Sequence, residues 1–179
     1  MSFSMSRATL PVYPVVLQAL SNVLDKGEAW AAARKVDPAV LPLTRLAPDM
    51  FALARQVQIA CDTAKNGLSR LAGVEAPRYE DDESTIPELK ERIVKTIAYL
   101  KTLDGGAIDA AVDRTIRFPL GPHKTAEMKG VDYLTQFVAP NFYFHTVAAY
   151  AILRANGVDV GKMDYLGAIP ISISDNPKS

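Results

Sequence analysis

The stretch of sequence that decides the fold is GVDYLTQFVAPNFYFHTVAAYAILRANG, residues 130–157. Its apolar residues recur every three or four positions, which is the spacing of one face of an amphipathic helix. The inward stripe consists of Val131, Leu134, Val138, Asn141, His145, Ala148 or Ala149, and Ile152. We therefore predict a long helix from about Gly130 to Asn156, with Gly157 as its C-terminal cap.

Three upstream segments show the same periodicity. The predicted helices run from Arg7 or Leu10 to Arg34, from Leu46 or Ala47 to the stop at Gly73, and from the caps Ser84 or Thr85 to the stop at Gly105-Gly106. A short helical turn is predicted over 107–112, and strand-favouring residues around the turn at 120–123 predict a small β-hairpin. The expected fold is an all-α four-helix bundle with this hairpin between the third and fourth helices. We expect one domain over 1–167 and a loose tail over 168–179.

The composition excludes several classes of protein. The 179 residues contain 20 Lys plus Arg and 20 Asp plus Glu, so the formal net charge is zero and a general nucleic-acid binder is not expected. Cys61 is the one cysteine, so no intrachain disulfide is possible. No apolar run approaches the ~20 residues that span a bilayer, and no secretory signal pattern is present. These features predict a cytoplasmic protein without membrane attachment.

The candidate chemistry lies on the fourth helix. Asn141 and His145 are four residues apart, so they occupy one side of the helix, at the spacing that can hold one metal or one ligand. Pro140 cannot donate to the carbonyl of Gln136, so it is expected to kink the helix and free that carbonyl. The pattern fits a small polar pocket, and it equally fits a kinked core helix whose histidine satisfies a buried hydrogen bond.

The second helix offers groups that would complete a site with His145 if the two helices are neighbours. Gln58 and Asp62 are the candidates, while Arg55 and Lys65 are expected on a solvated charged face.

Other reactive residues have simpler interpretations. Cys61 is expected to be a small buried side chain rather than a nucleophile. His123 is expected in an exposed turn, and the acidic residues 80–83 in a solvated loop that lacks the ligand spacing of a calcium site.

Two segments carry a resemblance to a known family. The second helix, LAPDMFALARQVQIACDTAKNGLSRLAG, and the fourth, GVDYLTQFVAPNFYFHTVAAYAILRANGVDVGKMDYLG, resemble an uncharacterised bacterial family of the DinB/YfiT-like superfamily. The resemblance covers about residues 3–167 and implies a four-helix bundle. Active members of the superfamily place three histidines around one divalent metal, one on the second helix and two on the fourth, and some are thiol-dependent transferases or isomerases.

This chain departs from that triad. His145 matches the second histidine of the fourth helix, Asn141 stands in the place of the first, and Gln58 (or Gln56) is nearest to the position on the second helix. The resemblance thus implies a degraded metal site in which His145 is the remaining metal ligand. A weakly bound divalent metal (Zn, Ni or Fe) is one expectation, and no cofactor is the favoured one.

Three hypotheses follow. The first is a small-molecule-binding bundle whose ligand contacts Gln58, Asn141 and His145. The second is a structural or interaction protein that forms a homodimer. The third is a metal-dependent transferase that acts on a thiol cofactor, for which the sequence lacks a third strong ligand.

Overall fold

A computed structural model describes residues 4–172 and residue 174. In chain order the helices and strands are α1 (Met5–Thr9), α2 (Val12–Arg34), a 3-10 helix (Pro38–Leu43), α3 (Leu53–Ala72), α4 (Ile86–Leu100), α5 (Gly105–Asp109), β1 (Thr115–Pro119), β2 (Thr125–Lys129), α6 (Gly130–Asp132), a π-helical turn (Tyr133–Val138), α7 (Ala139–Ala155) and α8 (Lys162–Leu166). Within the described residues, the long helices α2, α3, α4 and α7 form a ring in which each packs on two others. The predicted four-helix bundle with a hairpin before its last long helix is confirmed.

Local signals place the ends of several elements where the sequence predicts them. At the start of α4, the Thr85 hydroxyl accepts from the Glu88 N–H while the Glu88 carboxylate accepts from the Thr85 N–H, which is a capping box. Gly73 ends α3 with a left-handed φ of 73°. The hairpin pairs β1 and β2 antiparallel, with Ile116 opposite Met128.

Two predicted helix starts are wrong. The first predicted helix is split into α1 and α2 by a turn at Leu10 and Pro11, because Pro11 has no N–H to continue α1. The second begins at Leu53 rather than at Leu46 or Ala47. Residues 47–50 form a separate turn, closed by the Met50 N–H on the Ala47 carbonyl at 3.0 Å.

The fourth predicted helix is continuous through α6, the π-helical turn and α7, which together are called the rod. Pro140 changes the hydrogen bonding within it. The turn before Pro140 is π-helical, and the Ala139 N–H bonds five residues back, to the Leu134 carbonyl. A π turn widens the backbone by one residue, which accommodates the missing donor of the proline.

The contact between α3 and the rod is antiparallel and unusually close at Gly67. A Cβ built on Gly67 would lie 2.6 Å from Cγ1 of Val138, nearer than real Cβ contacts allow. The absence of a side chain at Gly67 therefore sets how closely the rod approaches α3.

Residues 80–82 of the acidic loop are exposed, as the sequence predicts, but buried cations that the sequence does not predict hold the loop in place. Arg92 of α4 is 1% exposed, and its guanidinium lies 2.9 Å from carboxylate oxygens of Asp62, Asp81 and Glu83. The Lys65 ammonium, also buried, donates to the Pro77 carbonyl at 2.7 Å. Buried cations on α3 and α4 thus fasten the loop onto the bundle.

The C-terminal part packs on α2. Asp164 of α8 lies 2.7 Å from the Lys26 ammonium, so an ion pair links this segment to α2. Of the predicted loose tail, residue 173 and residues 175–179 lie outside the described residues. Among the described residues, no helix combines the length and apolar character that crossing a bilayer requires.

Gly67→Ala is expected to destabilise the protein by about 1–3 kcal/mol, because the added methyl group overlaps Val138. In an exposed helix interior the same change would stabilise by ~1 kcal/mol. Urea denaturation measures the difference. In a double-mutant cycle, Val138→Ala should cost less stability in the Gly67→Ala background than in the wild type, and equal costs in the two backgrounds would contradict this account.

Arg92→Met is expected to cost about 3–5 kcal/mol, because three carboxylates lose their buried partner. The matched control is Arg78→Met, which removes the exposed Arg78–Glu80 pair, whose side chains are 87% and 69% exposed. We expect the control to change the free energy of unfolding by less than ~0.5 kcal/mol. Equal effects of the two substitutions would mean that Arg92 does not fasten the loop.

Candidate functional site

His145 and Asn141 lie one turn apart on α7, on the side of the rod that faces α3. His145 is 8% exposed, and its Nδ1 lies 2.7 Å from Oε1 of Gln56 on α3. The helices are therefore neighbours at this point, as the sequence hypothesis required, but the partner on α3 is Gln56 rather than Gln58.

The hydrogen bonds of Gln56 fix the tautomer of His145. The Gln56 side-chain NH₂ donates to the Phe51 carbonyl at 3.1 Å, so its Oε1 is the atom that faces the imidazole. An amide oxygen only accepts, so His145 Nδ1 carries the proton and Nε2 presents a lone pair. Nε2 has no hydrogen-bond partner among the described residues and is not fully enclosed by protein.

The environment keeps His145 neutral. Burial, with a smaller contribution from the positive charge of Arg55, lowers the pKa of His145 to about 4. At neutral pH the ring is an uncharged hydrogen-bond acceptor at Nε2.

Asn141 makes a bond within its own helix. Its side-chain NH₂ donates to the Phe137 carbonyl at 2.7 Å, at the junction between the π-helical turn and α7. The sequence predicts a freed carbonyl at Gln136, near Pro140. The carbonyl that accepts from the Asn141 side chain belongs to the next residue, Phe137. Asn141 Oδ1 has no partner among the described residues, so it is a second acceptor on the same side as His145.

Gln58 and Asp62 face away from His145, toward α4 and the acidic loop. Gln58 donates to Glu83 at 3.0 Å and accepts from Arg55 at 3.2 Å. Gln58 follows Gln56 by two residues, which is roughly 200° around a helix, so both cannot face α7. The sequence signal that could have identified Gln56 is its position on the apolar stripe of α3, between Leu53 and Ala60.

The donor set does not fit a divalent metal. Gln56 Oε1 is already engaged by the imidazole N–H, and Asn141 adds only a neutral amide oxygen to the single imidazole nitrogen. Over residues 4–172 and 174, no cluster of three His, Cys, Asp or Glu side chains is arranged to hold a metal ion. Zinc, nickel and iron sites in proteins use more imidazole, thiolate or carboxylate ligands than this.

Cys61 is also unsuited to catalysis. It is fully buried, and burial raises the pKa of its thiol to about 12, so it remains a neutral thiol at neutral pH. His123 lies exposed in the hairpin turn, as predicted.

Comparisons with known proteins show the family of the chain. Residues 5–166 match the family model described as "Domain of unknown function (DUF1993)". The chain is similar to a DinB family member protein from Shewanella denitrificans, whose crystal structure has a TM-score of 0.86 and 41% sequence identity, covering 95% of this chain and 96% of that chain. No curated protein matches the sequence.

The pH dependence of stability tests the neutral state of His145. The pKa of about 4 in the folded chain lies below the ordinary 6.5, so the unfolded chain takes up a proton first. The contribution of His145 to stability is therefore present above pH 6.5 and is lost as the pH falls toward 4, a loss of at most about 3 kcal/mol. Urea denaturation between pH 7 and 4.5 should show a smaller decline for His145→Gln than for the wild type, by about 2 kcal/mol. Parallel declines would contradict the assignment.

Proposed function

We propose, for a chain that belongs to the DUF1993 family and has a DinB-like fold, that it binds a neutral small molecule through His145 and Asn141. The sequence hypothesis names Gln58 as a third ligand contact; in the present proposal Gln58 has no such role, and Gln56 orients His145. The observation that carries the proposal is the hydrogen bond from His145 Nδ1 to Gln56, which leaves Nε2 as a fixed, unprotonated acceptor.

The available polar atoms define the ligand. His145 Nε2 and Asn141 Oδ1 both accept hydrogen bonds, so the ligand is expected to present O–H or N–H donors. Neither the neutral His145 ring nor the Asn141 amide carries a charge, so the site offers no partner to an ionic ligand. A neutral molecule with two donors satisfies both conditions.

The exposed Phe144 ring beside His145 supplies an apolar contact, and the exposed Phe51 is linked to the site through its carbonyl. The Phe144 ring meets the His145 ring edge-on with centroids 5.1 Å apart, and Phe144 is 56% exposed. Phe51, whose carbonyl holds Gln56, is 54% exposed. Such rings pack well against a flat ligand, so an aromatic diol is a suitable probe.

Resorcinol, a ring with two hydroxyl donors, is expected to bind more tightly than its dimethyl ether by at least about fivefold. Nitrogen-15 NMR of His145 Nε2 reports the new hydrogen bond directly. His145→Gln should abolish the preference, and Gln56→Leu should weaken it, because the tautomer is no longer fixed. An unchanged Nε2 signal, or equal affinity for the two compounds, would refute the proposal.

A homodimer is the second candidate, and exposed apolar residues on α7 favour it. Phe144 and Val147 are 56% and 46% exposed and lie one turn apart on the outward side of the helix. A two-fold interface would bury both against a second copy of the chain. Val147→Glu would place a charge at the centre of that contact.

Light scattering over a concentration series tests the dimer. We expect the wild type to associate and Val147→Glu to remain monomeric. Val94→Glu is the matched control, because Val94 is 61% exposed on α4 and away from this face. A wild type that stays monomeric at high concentration, or equal effects of the two substitutions, would remove this candidate.

The metal-dependent thiol transferase receives no support from the donor set at His145. Elemental analysis of protein purified without a metal-affinity tag is expected to find far less than one zinc, nickel or iron per chain. One metal per chain that disappears in His145→Ala would reverse this conclusion.

A further inference from the structure

Arg70 of α3 is a half-buried cation without an acidic partner. The other arginines that are buried or half-buried, Arg55 and Arg92, both form ion pairs with carboxylates of the acidic loop. Arg70 donates instead to the Tyr133 hydroxyl at 3.1 Å, and no carboxylate among the described residues forms an ion pair with it. Burial raises the pKa of Tyr133, so this partner is a neutral phenol. The charge of Arg70 is therefore uncompensated at a position partly withdrawn from water.

Arg70 lines a cavity of about 190 Å³ between α3 and the rod. The wall on α3 also contains Thr63 and Asn66, which precede Arg70 by seven and four residues and so share its side of the helix. The wall on the rod contains the rings of Tyr133 and Phe137, which are stacked with centroids 5.8 Å apart. The cavity thus has one polar wall and one aromatic wall.

Thr63 and Asn66 bring unpaired polar groups to the wall on α3. The other threonines of the helices donate to a carbonyl of their own helix, as the hydroxyls of Thr9 and Thr96 do at 2.8 Å. The Thr63 hydroxyl and the Asn66 amide are half-buried, and neither has a hydrogen-bond partner in the part of the chain that the structure describes. Both groups can donate, so together with Arg70 they place donors along one side of α3.

Asp62 also lines the cavity, but its negative charge is compensated by its neighbours. Its Oδ1 lies 2.9 Å from Arg92 and 3.1 Å from Lys65. The surrounding cluster balances three cations against three carboxylates: Arg55, Lys65 and Arg92, and Asp62, Asp81 and Glu83. Arg70 is left as the uncompensated charge of the lining, so the cavity favours an anion. Repulsion from Asp62 is larger for a doubly charged ligand, which favours a single negative charge.

We propose that this cavity binds the carboxylate of a small organic acid, with Arg70 as its counterion and Thr63 and Asn66 as further donors. A guanidinium has five N–H donors in a planar fork, and the Tyr133 hydroxyl occupies one of its nitrogens. The remaining donors match the two oxygens of a carboxylate.

The other features of the cavity define the rest of the acid. The rings of Tyr133 and Phe137 favour a flat hydrocarbon part. The volume is below the ~300–1,000 Å³ of typical ligand pockets, so the acid is expected to have no more than a single ring. Arg70 follows Gln56 by 14 residues, which is roughly 20 Å along α3, so this site is separate from the one at His145.

Benzoate and benzamide form a matched pair of probes, because they have the same shape and differ in charge at neutral pH. We expect benzoate to bind at least about fivefold more tightly, since a hydrogen bond between two charged groups is stronger than one to a neutral group. NMR of the Arg70 Nε–H and of the Asn66 side-chain amide reports binding at the cavity itself. Inorganic phosphate at pH 8 should bind more weakly than benzoate, because it has no ring and is mainly doubly charged.

Variants separate the role of Arg70 from a general effect of charge. Arg70→Gln should remove the preference for benzoate and leave the affinity for benzamide nearly unchanged. The matched control is Arg34→Gln, which removes an equal charge from an exposed position at the end of α2. Thr63→Leu keeps Arg70 and fills the cavity, so it should weaken the binding of both compounds. Thermal unfolding verifies that each variant is folded.

Four results would overturn the proposal. They are equal affinities of the wild type for benzoate and benzamide, equal effects of Arg70→Gln and Arg34→Gln on benzoate binding, phosphate binding as tight as that of benzoate, and unchanged NMR signals of Arg70 and Asn66. These variants leave His145 and Gln56 in place, so failure here is distinguishable from failure of the site at His145.

Discussion

Where α3 meets the rod formed by α6, the π-helical turn and α7, Gly67 lets Val138 approach to a distance that no other residue would permit. This close antiparallel contact fixes the distance between the two helices along their length. Further along the same contact, it brings Gln56 within hydrogen-bond distance of His145. The tautomer of the histidine, and with it the position of the free acceptor, therefore depends on a glycine that lies about three turns away on α3.

The helix α3 has polar side chains on two different sides, and each side has a separate role. Gln56 faces α7 and orients His145, while Gln58, Asp62 and Lys65 face α4 and the acidic loop. Arg92 completes the second group. The charged cluster around Arg92 stabilises a long connection, and the pair of Gln56 and His145 lies on the side of α3 that faces α7, where burial keeps the imidazole uncharged.

The elements that could be predicted from the sequence are those with local causes. The capping box of Thr85 and Glu88, the stop at Gly73 and the hairpin before the last long helix each depend on residues a few positions apart. The start of α3 was missed because Pro48 and Asp49, which are typical of a first helical turn, here form a separate turn. The choice of Gln56 over Gln58, and the ion pairs that hold the acidic loop on Arg92, depend on helices distant in sequence, and the periodicity of one segment does not contain that information.

The π-helical turn has a consequence for the phase of the rod. A single extra residue in one turn rotates everything that follows it by roughly 100° relative to an uninterrupted α-helix. The predicted single stripe from Val131 to Ile152 is therefore divided: Val131 and Leu134 line a cavity beside α1, whereas Val138 and His145 meet α3. Loss of one residue from Tyr133–Val138 would bring the two halves back into phase and rotate one of the two surfaces away from its neighbours. The number of residues in this six-residue turn is therefore constrained more tightly than the identity of its side chains.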